Sequence, residues 1–235
     1  MELRVGTSGF SYKEWKGPFY PEDLKNPDML RYYAERLPSV EINNTFYRMP
    51  KASVLEGWCA QVPASFRFAI KASRRITHMK RLKEAGEETD YLLEMVASLG
   101  ERLGVLLFQL PPNLKKDQAR LERFLDHLDG RAPAAFEFRH ESWADDEVAA
   151  ALGARGAALV VSETDEGDDA TLIATARHAY LRLRRSAYAE KDLTRWAEAL
   201  RGADLDEAFV FFKHEDAGAG PRMAAELRAM LQRDA

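Results

Sequence analysis

Short apolar segments alternate with helix-like segments along almost the whole chain, and this alternation restricts the fold more than any other feature of the sequence. Parallel strands need long crossover connections, which helices provide, so strands alternating with helices predict a parallel sheet. Eight such units within 235 residues favour a single α/β domain, a TIM-type (β/α)8 barrel, over an open doubly wound sheet, which is the alternative. The strand candidates are residues 3–6, 40–42, 66–70, 105–110, 135–138, 158–161, 179–183 and 208–212.

The segments between the strand candidates carry the apolar spacing of amphipathic helices. Leu121, Phe124, Leu125 and Leu128 recur at positions i, i+3, i+4 and i+7, and residues 91–99 and 193–200 repeat the pattern. Because nothing resembles an interdomain linker, we expect one domain over residues 1–235. Residues 8–27 and 164–175 are irregular, so we expect irregularity in the first βα loop and around strand 6. The aromatic first loop is expected to fold over the barrel rim or to contact a ligand.

The charge balance and the cysteine content restrict the classes of function. With 34 Lys and Arg against 38 Asp and Glu, the formal net charge is -4, which gives no global basic field for nucleic acid. Cys59, the single cysteine, has no partner for an internal disulfide. The sequence shows no leader and no apolar run near the ~20 residues of a membrane span, so we expect no membrane association and a cytoplasmic location. No cofactor motif is complete, and no cofactor is predicted.

Charged residues end several of the predicted strands. In a parallel barrel the strand ends meet at the C-terminal face, whatever their separation in sequence. Side chains alternate along a strand, so Glu41 shares a face with Asn43, and Glu137 shares one with Arg139. Burying an unpaired charge is costly, so we expect these residues and Lys71 to pair with one another or with a ligand. Two interpretations follow: a structural ion-pair network and a binding site.

Cations at the strand ends favour an anionic ligand. A desolvated lysine such as Lys71 can act as a base, a Schiff-base nucleophile or an anion contact, and charge-assisted hydrogen bonds suit phosphate or carboxylate. The catalytic candidates are Glu41, Lys71, Glu137 and His140. The predicted ligand-binding residues are Asn43, Tyr47, Arg74, His78, Gln109, Arg139, Trp143, Arg182 and Lys213.

Three of the five histidines follow predicted strands and are candidates for proton transfer: His78, His140 and His214. No close His-x-His or His-Glu-x-x-His spacing occurs, so no metal site is predicted. Lys71 and Arg139 would compete with a metal ion for the strand-end carboxylates. The metal alternative would use Glu41, Glu137, Glu163 or His140.

Several sequence strings, in order along the chain, together resemble the YecE-like family, which is known only as a domain of unknown function. They lie at residues 6–12, 15–17, 19–21, 40–48, 68–71, 76–78, 107–112, 137–140 and 142–143. The resemblance implies a TIM-type barrel and implies no reaction. The chain departs from the family near the seventh strand, where Arg184 and Arg185 stand in place of a frequent His-Gly pair.

The leading hypothesis is an enzyme or a binder that acts on a small anionic ligand, such as a phosphorylated sugar or a nucleotide. Lys71, Arg139, Arg182 and Lys213 would contact the anion. The second hypothesis is a non-catalytic nucleic-acid-binding or protein-partner module that uses the first loop and the Arg184–Arg185 edge. Metal-assisted phosphoester hydrolysis is a third, based on barrel analogy alone. The sequence leaves the oligomeric state open.

Overall fold

The computed structural model describes residues 1–166, 169–213 and 218–233. Its centre is a closed barrel of parallel strands in which each strand pairs with the next and β8 pairs with β1. This closure confirms the predicted TIM-type (β/α)8 barrel and shows the open-sheet alternative to be wrong. The strands are β1 (Glu2–Ser8), β2 (Ser39–Ile42), β3 (Arg67–Lys71), β4 (Leu103–Gln109), β5 (Ala134–Glu137), β6 (Ala158–Glu163), β7 (His178–Leu183) and β8 (Glu207–Phe212).

Helices surround the barrel and bury the apolar faces that the sequence predicts. Leu121, Phe124, Leu125 and Leu128 are all buried on α4. Among the described residues no helix connects β6 to β7, and a long loop precedes α1, in agreement with the two irregular regions expected. None of the described helices is long and apolar enough to cross a membrane. The helices are α1 (Met29–Ala34), α2 (Ala52–Cys59), α3 (Gly86–Val96), α4 (Gln118–Leu128), α5 (Asp146–Ala154), α6 (Glu190–Gly202) and α7 (Ala219–Arg233).

The loop between β1 and α1 packs against the rest of the chain through its aromatic rings. Trp15 and Tyr20 are fully buried. The ring of Phe19 meets that of Tyr33 on α1 edge to face, with centroids 6.1 Å apart, and the Tyr20 hydroxyl donates to the Phe10 carbonyl oxygen at 2.6 Å. These rings therefore belong to the structural core, as expected for a loop that folds against the barrel.

Apolar side chains fill the barrel interior beneath the strand ends. The rings of Tyr180, Phe209 and Phe211 lie 5.3 to 6.5 Å apart between centroids. Gly104 leaves room for them, because a Cβ at this position would stand 2.7 Å from Cε1 of Phe209. The interior is thus a packed core, and polar side chains lie above it at the strand ends.

Gly6 allows β1 to approach β2 closely. A Cβ on this residue would lie 1.9 Å from the backbone oxygen of Ser39, so no larger residue fits without moving backbone. The Tyr33 hydroxyl donates to the same Ser39 oxygen at 2.9 Å and fixes the junction from outside the barrel. Ser8 consequently stands in register with Glu41, and these are the first two polar residues of the strand-end cluster.

Candidate functional site

A buried arginine and two carboxylates form the centre of the C-terminal face. Arg182 on β7 donates to Glu41 on β2 through Nε and Nη2, each at 2.9 Å, and to Oε2 of Glu137 on β5 through Nη1 at 2.8 Å. The three residues are at most 4% exposed. Charge-assisted bonds of this length, bidentate on one partner, compensate charges that would otherwise be costly to bury. We call these three residues the central triad.

Glu41 is fully satisfied by its neighbours. Its Oε1 accepts a very short hydrogen bond from Ser8 Oγ and one of 2.9 Å from Asn43 Nδ2, while its Oε2 accepts from the Tyr180 hydroxyl at 2.7 Å. Burial opposes ionisation, but the Arg182 cation and these donors outweigh it and lower the pKa of Glu41 to about 2. Glu41 is therefore a carboxylate at every physiological pH.

Gln109 on β4 links the central triad to Lys71. Its Nε2 donates to Oε2 of Glu137 at 2.7 Å, and its Oε1 accepts from Lys71 Nζ at 2.8 Å. Burial opposes ionisation of Glu137 as well, but Arg182 and Arg184 nearby lower the pKa of its carboxyl group. Of the four strand-end charges expected to pair, the two carboxylates pair closely with Arg182, whereas Lys71 bonds a neutral amide.

Arg139 and Arg184 are held more loosely around the triad. Each approaches Oε1 of Glu137 only at 3.4 Å, which is long for a charge-assisted hydrogen bond. Arg184 Nη2 also makes a very short contact with Ser162 Oγ, but its buried Nε has no hydrogen-bond partner within the described residues. These two guanidinium groups therefore keep unused donor capacity at the mouth of the barrel.

The loosely held cations surround a cavity of about 260 Å³ at the strand ends. Of the predicted site residues, its lining includes Asn43, Tyr47, Lys71, Gln109, Arg139, Arg182 and Lys213. It also includes Ser8, Tyr12, Phe46 and Arg184, which were not among the predicted site residues. The period-two rule identifies one of them, because Tyr180 and Arg182 share one face of β7 and Arg184, just after the strand, continues the alternation.

His78, Tyr47 and Arg74 lie at the rim beside Lys71. The His78 ring meets Phe46 edge to face with centroids 4.9 Å apart, and burial together with the Lys71 charge lowers its pKa. Tyr47 is 72% exposed, and the Arg74 guanidinium stands 5.9 Å from the centroid of its ring. The loops after β2 and β3 thus place an exposed aromatic side chain at the cavity entrance.

His140 and Trp143 lie in a neighbouring groove that shares only Arg139 with the cavity lining. His140 Nδ1 accepts from the Ser142 backbone N–H at 3.1 Å and caps the short 3-10 helix Glu141–Trp143. Trp143 is 3% exposed, and its indole N–H donates to the Leu114 carbonyl oxygen at 2.7 Å. Both residues hold the loop after β5 in place.

Glu163 points away from the strand-end cluster. Its Oε1 accepts from Arg195 at 2.5 Å and contacts Arg185 at 3.1 Å, and its Oε2 accepts from the Trp196 indole at 3.1 Å on α6. In residues 1–166, 169–213 and 218–233, no three His, Cys, Asp or Glu side chains form an arrangement that could hold a metal ion. His214, the third proton-transfer candidate, lies outside the described residues.

Comparison with known proteins places the chain among uncharacterised relatives. The family model described as "Protein of unknown function DUF72" matches residues 4–235. UPF0759 protein YunF of Bacillus subtilis is 30% identical over 149 residues, which cover 60% of this chain and 52% of that protein. UPF0759 protein YecE of Escherichia coli K12 is 32% identical over 112 residues, which cover 47% of this chain and 41% of that protein. The chain thus matches about half the length of these curated relatives.

Solved structures show the same architecture. A DUF72 family protein from Thermotoga maritima aligns with a TM-score of 0.85 at 28% identity, over 99% of this chain and 100% of that one. A DUF72 family protein from Enterococcus faecalis aligns with a TM-score of 0.81 at 21% identity, over 98% and 95% of the two chains, and shows a common fold. None of the four names states a ligand or a reaction.

Proposed function

Since the chain belongs to the DUF72 family, whose name assigns no activity, we propose from its geometry that it binds a small phosphate- or carboxylate-bearing ligand in the strand-end cavity. The observation that carries this proposal is the excess of positive charge around the cavity. Among the described residues, five cations line it and only the two triad carboxylates offset them. The cations are Lys71, Arg139, Arg182, Arg184 and Lys213.

The charges form two groups, the central triad and the outer cations Lys71, Arg139, Arg184 and Lys213. This division supports a ligand for the outer cations. Arg182 uses its guanidinium on Glu41 and Glu137, so the central triad is a structural ion-pair network, one of the two interpretations of the sequence. The outer cations have at best long contacts with Glu137. An anion that replaced these long contacts with bonds of 2.7 to 2.9 Å would gain charge-assisted hydrogen bonds without breaking the triad.

The cavity volume restricts the ligand to a small molecule. About 260 Å³ equals the liquid volume of roughly nine water molecules, at about 30 Å³ each. This space suits a compound of about ten non-hydrogen atoms, such as a phosphorylated triose or a short keto acid. A phosphorylated sugar or nucleotide of larger size would extend past Tyr47 at the entrance.

The experiment is calorimetric titration of inorganic phosphate and sulfate into the protein at low ionic strength. Replacing Lys71 or Arg184 by Met removes a cation of the outer group, and the loss of one charge-assisted bond, about 1.5 to 3 kcal/mol, should weaken binding by about tenfold or more. Lys116→Met is the matched control, because Lys116 pairs with Asp145 and Glu147 outside the cavity.

Equal affinity in Lys71→Met, Arg184→Met and the control would refute the proposal. So would the absence of any anion binding at millimolar concentration. Since Lys71 belongs to no ion pair among the described residues, we expect Lys71→Met to keep the melting temperature of the wild type. A large loss of stability in this variant would instead assign Lys71 to the structural network.

The nucleic-acid or protein-partner alternative depends on residues whose side chains are buried or paired within this fold. Trp15 and Tyr20 of the first loop are fully buried. Arg184 turns toward the cavity, and Arg185 contacts Glu163 and Asp169. Oligonucleotide binding that falls steeply with salt would favour this alternative over the anion site.

The protonation states of the site separate possible catalytic roles. With a pKa of about 2, Glu41 cannot exchange protons usefully near neutral pH and instead supplies fixed negative charge. The Nδ1 atom of His140 already accepts a hydrogen bond from a backbone N–H. Burial lowers the pKa of Lys71 to about 8, so this amine titrates close to neutral pH.

A further inference from the structure

Lys71 differs from the three arginines that line the cavity because it has no carboxylate partner among the described residues. Arg139, Arg182 and Arg184 each contact Glu137 within 4 Å, whereas the hydrogen bond of Lys71 Nζ goes to a neutral amide oxygen, that of Gln109. Nζ also stands 4.5 Å from the centroid of the Phe46 ring. The amine is thus oriented from two sides without being locked in an ion pair.

The surroundings of Lys71 favour the neutral amine more than water does. Burial lowers its pKa most, Arg182 on β7 and Arg139 after β5 lower it further, and Glu41 and Glu137 act in the opposite direction. His78 on the rim is also close enough to Lys71 for the lysine charge to lower the pKa of the imidazole. With a pKa of about 8, about a tenth of the Lys71 side chains carry a free lone pair at pH 7.

We propose that Lys71 forms a Schiff base with an aldehyde or ketone that also carries a phosphate or carboxylate group. The inference rests on the proposed anion binding, because Arg139, Arg184 and Lys213 line the same cavity and would hold the anionic group while the carbonyl carbon faces Nζ. Holding both partners in one small cavity replaces a bimolecular encounter with a positioned reaction.

The step needs no oxidant, reductant or further reactant. The Nζ lone pair forms a bond to the carbonyl carbon, and the carbon–oxygen π pair moves to oxygen. Two protons of the original ammonium group then reach this oxygen, the carbon–oxygen bond breaks, and water leaves. The product is a protonated imine that keeps the single positive charge of Lys71, so the charge balance of the cavity is unchanged.

The test traps this imine by reduction. The wild type is incubated with pyruvate or dihydroxyacetone phosphate, each with sodium cyanoborohydride, and is analysed by intact mass and peptide mapping. The expected result is one adduct per chain at Lys71, at least tenfold above the labelling of any other lysine. Lys116 is the internal comparator, because the hydrogen bonds that it donates to Asp145 and Glu147 raise its pKa and keep it protonated.

Lys71→Arg should remove the adduct, because a guanidinium group does not form an imine under these conditions. Acetone, which has the carbonyl but no anionic group, should label Lys71 at least tenfold less, and excess phosphate should suppress labelling by pyruvate. Mapping the wild type locates the adduct even if a variant folds poorly.

Three outcomes would count against the inference in distinguishable ways. Phosphate binding at the cavity without an adduct at Lys71 would overturn the covalent step alone. Labelling spread evenly over the lysines would do the same. An adduct at Lys71 that acetone forms equally well, and that phosphate does not suppress, would overturn the anionic substrate class together with the proposed function.

Discussion

Replacing Arg182 by Met should remove much of the free energy of unfolding of this chain at neutral pH. The size of this loss should depend on pH. The substitution keeps an apolar side chain of similar length but leaves Glu41 and Glu137 ionised, buried and without their shared cation. Removing one partner of a buried ion pair typically costs about 3 to 5 kcal/mol. The pKa of Glu41 gives a similar figure, since its fall from 4.5 to about 2 corresponds to about 3 kcal/mol in favour of the carboxylate.

The two proteins should respond to acid with opposite signs. In the wild type the pKa of Glu41 is lower in the folded state than in the unfolded chain, so its stabilisation is complete above about pH 4.5 and is lost as the pH falls toward 2. In Arg182→Met, burial without the cation raises the pKa of both carboxyl groups above their ordinary values. The folded variant then takes up protons before the unfolded chain does, and its deficit relative to the wild type should shrink between pH 7 and pH 5.

Urea denaturation followed by circular dichroism at the two pH values measures this difference. Arg177→Met is the matched control, because Arg177 makes exposed ion pairs with Asp204 and Asp206 at the other end of the barrel, and it should change stability little. The triple variant Arg182→Met, Glu41→Gln, Glu137→Gln should recover much of the loss, since none of the three charges of the triad remains. Wild-type stability in Arg182→Met, or a deficit independent of pH, would refute this account of the triad.

Three further predictions address the strand junction, the tyrosine beneath the site and the titration of Lys71. Gly6→Ala should prevent folding or cost more than about 4 kcal/mol, because its Cβ would stand 1.9 Å from the Ser39 oxygen. Gly57→Ala on α2 is the control: a Cβ there meets no atom within 4 Å, so the change should stabilise the protein by about 0.5 to 1 kcal/mol. Equal melting temperatures of the two variants would contradict this prediction. Tyr180→Phe should lower the free energy of unfolding by about 1.5 to 3 kcal/mol through loss of the 2.7 Å bond to Glu41, and an unchanged urea midpoint would show that this bond contributes nothing. Sulfate affinity should fall by up to about tenfold from pH 7 to pH 9 as Lys71 loses its proton, and calorimetry on Lys71→Met should show a flatter profile.

The fold could be predicted from the sequence because each level of the pattern agreed with the next. The eight apolar segments became eight strands, and the period of two placed the charges correctly. Asn43 donates to Glu41, and Arg139 reaches Glu137. In both pairs the two residues are two positions apart in the sequence, as the alternation of side chains along a strand requires. Phe136, directly before Glu137, points to the opposite face of the sheet and stacks on Phe108.

The partners within the site could not be predicted, because they depend on depth in the barrel rather than on spacing. Arg184 follows the end of β7 two residues after Arg182, yet Arg182 bonds both triad carboxylates and Arg184 has only one long contact with them, to Glu137. Glu41 and Arg182 are 141 residues apart, so no local pattern relates them. His140 caps the short 3-10 helix after β5. Its position just after a strand did not predict this role, because the role depends on the geometry of the turn.

The separation between the central triad and the outer cations has an evolutionary consequence. Arg182 spans the barrel mouth from β7 to β2 and β5 and compensates both buried carboxylates. Among the described residues Lys71 and Lys213 make no ion pair with either carboxylate, so substitutions at these two positions leave the bonds of Arg182 in place. Under the proposed anion binding, the ligand preference of the cavity could therefore change at these positions without leaving a triad charge uncompensated.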